Sequence, residues 1–480
     1  MSEKYSKRKI VELLRTTSAE LSPEADARMR EELKLTQKAS AEAKKLSKSE
    51  PIQVRVNQQG NRRILRDLVA ALSGAVIVGA VVLAVWMHGQ HGNVIPIDGD
   101  AVTGTPAPAT ETPTPTQGLK PGDVEINEVN FPDETFRRIV AAKLDLNSDK
   151  ILSAQEIASV TEIKVSRWDL DENDEKITSL KGVEFFTEIT LLSCARNNLT
   201  ELDISKNTKL KRIECQENKL RALDVSANPW LEDIICSDNL IEKLDLCNLP
   251  ELWVLYCENN RLSSLDLSAN VKLFALCCSD NPITTLDVSM LSLLGNIMVN
   301  NAKLTSLDLS NNLYLTWIEC NGNGLETLII SPKNEWITDL QCQSNRLTSL
   351  DVSGFGMLQN LNCADNLLTS IDVSHNPDLA YLDAAYNPIR TLDVRRNSKL
   401  EWLSCSGCEF EEVDLSKSMG LSALYIFDNP SLKKLDVSVC DKELYISLDS
   451  GVDLIGLGPQ MYANRVDEAP DKSKWLAEHY

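Results

Sequence analysis

Apolar and polar positions recur with a fixed period through the second half of the chain. The element Leu-Asp-Val-Ser, with small variations, repeats every 21 residues from Asp203 to Asp436, with two intervals of 22 and a degenerate copy at Ile329. Between the copies lies the pattern LxxLxCxxNxL. One instance is Leu273-x-x-Leu276-x-Cys278-x-x-Asn281-x-Ile283. No single coil of this length buries its apolar face, so the period predicts stacked coils. The expected fold is a mainly β solenoid of about twelve coils with short parallel strands.

Asparagine and cysteine hold fixed places in each coil. Asparagine marks the corner after the strand, where its amide should bond free backbone groups of neighbouring coils; Ala302 and Cys408 replace it in two coils. Nine of the thirteen cysteines occupy the inward position of the repeat that Leu or Val occupies in other coils. We therefore expect these cysteines to be buried free thiols rather than disulfides. These nine, called the cysteine ladder below, are Cys194, Cys215, Cys236, Cys257, Cys278, Cys320, Cys342, Cys363 and Cys405.

The repeat resembles the 21-residue class of bacterial extracellular leucine-rich-repeat proteins, the internalin-like family. The resemblance rests on the LxxLxCxxNxL units and covers residues 189–439. It implies binding of a protein or a glycan through the parallel sheet. An LPxTG-type wall-sorting motif is absent near Tyr480, so host invasion is not part of this expectation.

The two sides of the predicted solenoid differ in how much they vary. On the Leu-Asp-Val-Ser side the outward positions barely change from coil to coil, which is typical of a structural scaffold. The repeated Asp carboxylates of adjacent coils would lie ~4.8 Å apart, and we expect the hydroxyls of flanking Ser and Thr residues to relieve their repulsion. The strand side varies, and large aromatic residues beside acids favour ligand binding. The alternative is neutral drift, with aromatic rings packing on one another. The predicted ligand-binding residues are Tyr256, Trp317, Tyr381, Asp383, Trp402, Tyr425 and Phe427.

A helix and an acidic loop precede the repeats. Phe136, Ile139, Val140 and Leu144 recur at helical spacing and predict an amphipathic helix over 132–144. The next twelve residues carry oxygen ligands at the positions of a calcium-binding EF-hand loop, with a backbone carbonyl at position 7. The predicted calcium ligands are Asp145, Asn147, Asp149, Ile151, Ser153 and Glu156.

Two features of this loop favour a purely structural role. Lys150 stands at position 6, where the sharp turn favours glycine and where a positive charge weakens cation binding. Ser153-x-x-Glu156 also matches a helix capping box. Calcium binding and a purely structural cap therefore both remain open. In either case residues 123–188 should close one end of the solenoid, and the non-repetitive residues 440–480 the other.

The N-terminal part predicts a membrane anchor. Leu68–Met87 is a run of twenty uncharged residues, long enough to cross a bilayer as a helix. Flanking arginines argue against a buried soluble helix, and the long basic segment without an A-x-A site argues against a cleaved signal peptide. Residues 1–66 carry a charge of +7 and the remainder −28, so the positive-inside rule places the N-terminus in the cytoplasm and the repeats outside. The expected segments are 1–66 cytoplasmic and helical, 67–88 transmembrane, and 89–122 a Thr/Pro-rich linker.

Composition narrows the function further. The chain has only four histidines, which argues against His-based catalysis or metal binding, and its acidic remainder argues against nucleic acid as partner. We therefore expect no enzyme, but a membrane-anchored extracellular recognition or adhesion protein that binds a protein or glycan. The alternative is a transmembrane sensor that relays binding to a cytoplasmic partner of residues 1–66.

Overall fold

The computed structural model describes residues 119–169, 174–440, 444–458 and 461–466. The segments predicted to be cytoplasmic and transmembrane, and nearly all of the linker, lie outside these residues. Within the described ranges, no helix is both long enough and apolar enough to cross a membrane.

The predicted helix before the repeats is present. Helix α1, Glu134–Lys143, begins after Asp133, whose carboxylate accepts the backbone N–H of Phe136 at 3.0 Å. It buries Phe136, Ile139 and Val140, as their spacing predicts. Strand β1, Val124–Glu125, pairs antiparallel with β2, Ile151–Leu152, and the short helix α2, Ala154–Ser159, follows.

A parallel sheet of fifteen strands forms one side of the solenoid, and its strand order follows the chain. Its strands are β3 Glu162–Lys164, β4 Leu191–Ser193, β5 Arg212–Glu214, β6 Asp233–Ile235, β7 Val254–Tyr256, β8 Ala275–Cys277, β9 Asn296–Met298, β11 Trp317–Glu319, β13 Asp339–Gln341, β14 Asn360–Asn362, β15 Tyr381–Asp383, β16 Trp402–Ser404, β17 Ala423–Tyr425, β19 Tyr445–Asp449 and β21 Tyr462–Val466. The predicted solenoid of short parallel strands is confirmed.

The sheet extends beyond both predicted limits of the repeat domain, 189 and 439. Strand β3 adds a first coil from the segment assigned to the cap. Strands β19 and β21 add two more from the segment expected to close the C-terminal end, although that segment lacks the Leu-Asp-Val-Ser pattern. Parallel pairing with the preceding strand continues the stack at both steps, and Ile446 of β19 is fully buried in it.

The core runs along the whole stack. The central residue of each three-residue strand points inward, while its two neighbours point outward, because strand side chains alternate. Leu192, Leu255 and Leu403, among these central residues, are fully buried, as is every member of the cysteine ladder. All thirteen cysteines of the chain carry free thiols in the structure.

Corner asparagines join adjacent coils by hydrogen bonds, as predicted. The Nδ2 of Asn218 donates to the carbonyl of Cys194 in the preceding coil at 3.0 Å and to that of Cys215 in its own coil at 3.1 Å. Its Oδ1 accepts the N–H of Leu199 at 3.0 Å. The same set recurs at Asn239, Asn260 and Asn281, so each corner satisfies backbone groups that the turn leaves free.

On the opposite side, the Asp residues bond locally. The hydroxyl and backbone N–H of Ser226 hold the pKa of Asp224 below its usual value, and the N–H···Oδ1 distance is 2.9 Å. Hydroxyls thus stabilise the carboxylates, as expected. Two short parallel strand pairs also form on this side. Where Ile329 replaces Asp, β10 Ser306–Leu309 pairs with β12 Thr327–Ile330. Near the C-terminal end, β18 Lys434–Asp436 pairs with β20 Asp453–Ile455.

Candidate functional site

Five aromatic rings form a continuous stack on the outward side of the main sheet, near its C-terminal end. Tyr381 and Trp402 lie parallel, with ring centroids 4.2 Å apart and planes 8° apart. Trp402 contacts Tyr425 at 5.4 Å, Tyr425 contacts Tyr445 at 5.7 Å, and Tyr445 contacts Tyr462 at 5.7 Å. We call Tyr381, Trp402, Tyr425, Tyr445 and Tyr462 the aromatic ladder.

The strand register explains why the stack is continuous. Tyr381 lies opposite Trp402, and Tyr445 lies opposite Tyr462, in one row across the sheet. Ala423 occupies the same row between them, paired with both Trp402 and Tyr445. Because Ala423 is small, the ring of Tyr425 from the adjacent row reaches both Trp402 and Tyr445 and closes the gap.

The sequence predicted only part of this ladder. Tyr381, Trp402 and Tyr425 are half-buried on the sheet surface, as their positions in the repeat indicate. Tyr445 and Tyr462 were missed because the residues after 440 were assigned to a non-repetitive cap. Tyr462 is 64% exposed and ends the ladder. The signal that could have found them is the spacing of Tyr445, about one repeat after Ala423.

Three predicted contact residues are not accessible to a ligand. Trp317, Asp383 and Phe427 are 5%, 0% and 2% exposed, so the expectation of an accessible side chain is wrong for each. Trp317 lies against its own strand, where its Nε1 donates to Glu319 at 2.8 Å. Phe427 follows the strand and packs at the corner with Tyr386, in a small apolar cluster separate from the main core.

The remaining predicted residue, Tyr256, belongs to a different part of the sheet. It is half-buried, and burial raises the pKa of its hydroxyl. Its neighbours in the same outward row are Ile235 and Cys277. The structure therefore does not bring Tyr256 together with the aromatic ladder, which begins several coils later.

Ion pairs neutralise the charged end of this surface near the N-terminal coils. Arg212 contacts Glu214 at 2.6 Å on its own strand and Asp233 at 3.2 Å on the next. Glu214 also accepts the hydroxyl of Ser193 at 2.7 Å. These groups bond to one another, so this end of the sheet has less capacity to recruit a ligand than the aromatic ladder.

A buried carboxyl lies beside the aromatic ladder. Burial raises the pKa of Asp383 to about 7, although the N–H of Ala385 and the hydroxyl of Ser404 oppose the shift. The N–H···Oδ1 distance from Ala385 is 3.0 Å. Asn362, its partner in strand register, makes the same bond to Ala364 at 3.1 Å. An amide therefore fits this environment as well as a carboxyl does.

Asp383→Asn should stabilise the protein, and increasingly so at higher pH. A carboxyl whose folded pKa is raised stabilises the fold at low pH, and this stability is lost as pH rises through about 7. The variant has no such loss, so its advantage in unfolding free energy should grow by ~2–3 kcal/mol between about pH 5 and about pH 8. Urea unfolding at both pH values measures this difference. An advantage independent of pH would show that Asp383 is not buried as a titrating acid.

The predicted calcium loop has its capping box intact. The Ser153 hydroxyl accepts the N–H of Glu156 at 3.2 Å, and the Glu156 carboxylate accepts the N–H of Ser153 at 2.8 Å. Asn147 and Asp149 accept the backbone N–H groups of Asp149 and Ile151 at 3.0 and 2.8 Å. Through the described part of the chain, no three His, Cys, Asp or Glu side chains converge in a preformed metal site.

The stacked coils, the asparagine corners and the outward sheet define a leucine-rich-repeat solenoid, and known proteins share it. Internalin J of Listeria monocytogenes serotype 4b is 33% identical over 96 residues, which are 20% of this chain and 10% of that protein. Internalin J of serovar 1/2a matches at 34% over 96 residues, with the same shares of the two chains. The chain thus matches about a tenth of the length of these relatives. No family model matches the chain.

Solved structures extend the likeness to most of the solenoid. The functional domain of InlJ from Listeria monocytogenes, described as including a cysteine ladder, has a TM-score of 0.60 and 30% identity, covering 68% of this chain and 76% of that one. An internalin (inlF) of the same species has a TM-score of 0.54 at 19% identity, covering 72% and 97%, which shows the shared fold. The chain belongs to the internalin-like family of bacterial leucine-rich-repeat proteins.

Proposed function

We propose that this is a surface recognition protein of the adhesion type, which binds a protein partner through the aromatic ladder. The observation that carries the proposal is five aromatic rings in unbroken contact on the outward side of a rigid sheet. Tyrosine and tryptophan supply large contact areas at low entropic cost and are enriched where proteins bind one another. A stack on parallel strands is also preorganised, which lowers the ordering cost of binding.

Ring stacking favours a protein over a glycan as the partner. Sugars bind aromatic residues by laying a ring face on an open aromatic face. Here the faces of Tyr381 and Trp402 cover each other at 4.2 Å, and those of Tyr445 and Tyr462 are 19° from parallel. The ring edges that remain for a partner suit the apolar side chains and backbone groups of a polypeptide.

Charge supports a basic contact region on the partner. The chain beyond residue 66 carries a net charge of −28, and this field accelerates association with a positive surface. The aromatic ladder itself carries no charge. Burial of its rings should therefore supply the short-range binding energy, and the acidic remainder of the chain should attract the partner over longer distances. No catalytic role is proposed, because internalin-like solenoids present a binding surface and this chain offers no catalytic constellation in its sequence.

Membrane anchoring belongs to the same proposal and rests on the sequence. The uncharged run Leu68–Met87 and the +7 charge of residues 1–66 support a single span with the repeats outside. Protease added to intact cells should then digest the repeats and spare the segment before Leu68. The sensor alternative depends on a cytoplasmic partner for residues 1–66, which lie outside the described part of the chain.

Parallel arrays of purified extracellular proteins and defined glycans test the proposed ligand class. The purified full-length chain should be retained by at least one protein, and Trp402→Ala should abolish that retention while the variant remains folded. Retention on glycans alone, or retention on proteins unaffected by Trp402→Ala, would contradict the proposal. Tyr314→Ala, a change outside the ladder, is the matched aromatic control.

A further inference from the structure

We propose that the loop from Asp145 to Glu156 in the N-terminal cap binds one calcium ion. This inference concerns the cap and does not depend on the function proposed for the sheet. Asp145, Asn147, Asp149, Ser153 and Glu156 place side-chain oxygens at the ligand positions of a twelve-residue calcium loop, and the carbonyl of Ile151 supplies position 7. Hard oxygen ligands in this number suit calcium rather than a transition metal.

The backbone makes the required turn despite the lysine at position 6. Lys150 has a φ of 67°, in the left-handed region where glycine is favoured. Its N–H donates to Asp145 Oδ2 at 2.9 Å, which closes the loop across five residues. The turn that a glycine normally provides is therefore present. Lys150 leaves the shape of the loop unchanged, but it adds backbone strain and a positive charge that opposes cation binding.

The independent observation that points to a cation is an unsatisfied oxygen on Asp145. This side chain is only 6% exposed, and its Oδ1 is buried without a hydrogen-bond partner. Its Oδ2 bond to Lys150 turns the carboxylate toward the inside of the loop. A buried carboxylate oxygen without a donor is costly, and a bound cation would remove that cost.

A second carboxylate is turned into the same loop. Glu156, also buried, accepts the N–H of Leu146, the second loop residue, at 2.9 Å. Its Oε2 accepts the N–H of Ser153 at 2.8 Å. Positions 1 and 12 are thus carboxyl side chains that both accept backbone N–H groups of the loop itself, while Asn147 and Asp149 would exchange their local backbone bonds for the ion.

Binding would fix the cap against the solenoid. The loop continues into β2, which pairs with β1, and Leu152 of β2 is fully buried in the core that runs into the repeats. An ion held by the residues on both sides of this strand would resist its separation from β1. Calcium should therefore stabilise the folded state by mass action.

Titration calorimetry with CaCl₂ on the purified, EGTA-treated full-length chain tests the inference. We expect one high-affinity site, and Lys150→Gly should tighten it about tenfold because glycine relieves the positive φ and removes the positive charge. Asp145→Asn should weaken it at least about tenfold. Glu156→Gln should weaken it similarly while its amide oxygen preserves the capping box, so loss of binding without loss of helix is diagnostic.

Asp203→Asn is the matched control, since it removes a carboxylate from the uniform Asp side of the solenoid and should leave the titration unchanged. Absence of binding heat in both the natural chain and Lys150→Gly would overturn the inference. Binding that survives both Asp145→Asn and Glu156→Gln would also overturn it, because the calcium would then be held by surface carboxylates elsewhere.

Discussion

Leu403→Ala should lower the free energy of unfolding by ~2–5 kcal/mol. Leu403 is the fully buried centre of β16, with Leu382 and Leu424 beside it in strand register. Removing its side chain opens a cavity between coils that stack rigidly through backbone hydrogen bonds, so little relaxation is available. Urea unfolding followed by circular dichroism measures the change.

Trp402→Ala is the comparison for this core substitution. Trp402 is next to Leu403 but faces outward, so its loss should cost only ~1–2 kcal/mol, mostly from the stacking contact with Tyr381. Equal costs for the two substitutions would mean that the ladder is part of the core rather than a surface feature.

Local periodicity explains why the solenoid was predictable from sequence. Each coil uses its apolar residues and corner asparagine at fixed spacing, and every coil contacts only its neighbours, so the pattern in one repeat specifies the stack. The capping box of Ser153 and Glu156 was predictable for the same reason, because all of its bonds form within four residues. Contacts of this kind do not depend on distant parts of the chain.

A second asparagine ladder was overlooked. Asn228 is fully buried and donates to the carbonyls of Ile204 and Asn207 in the preceding coil at 3.1 and 2.9 Å. Asn270 and Asn376 repeat the arrangement. Each such asparagine lies four residues after the repeated Asp, a spacing visible in the sequence. These asparagines lie outside both the Leu-Asp-Val-Ser element and the LxxLxCxxNxL pattern, so neither pattern predicts them.

The outward surface was less predictable because packing between coils decides which side chains are accessible. Asp383 has an outward position in its strand, yet it is fully buried beside Asn362 and Ser404. Phe427 is covered at a corner where Gly407 leaves room: a Cβ there would lie 2.3 Å from the ring of Tyr386. Position in the repeat gives the direction of a side chain, but its exposure depends on the size of its neighbours.

Trp402→Ala should reduce affinity for the protein partner by ~2 kcal/mol or more, about thirtyfold or greater. Trp402 lies between Tyr381 and Tyr425, so its removal interrupts the ladder near its most tightly stacked pair. Tyr381→Ala should weaken binding in the same direction. Surface plasmon resonance with the partner identified on the protein array measures both, at matched folded fraction.

Asp393→Ala provides the control on the opposite side of the same coils. Asp393 is exposed, and the side chain of Arg395 donates to both of its oxygens, at 2.9 and 2.7 Å, which lowers its pKa to about 2. Its removal changes the charge of the uniform face and leaves every ring of the ladder in place. It should alter affinity by less than about threefold.

The affinity of the protein partner for Trp402→Ala and for Asp393→Ala, measured side by side on folded protein, tests most directly whether the strand side is the binding face. We predict a loss of about thirtyfold or more for Trp402→Ala and little change for Asp393→Ala. A greater loss for Asp393→Ala than for Trp402→Ala would place the binding face on the Asp side of the solenoid and contradict the assignment.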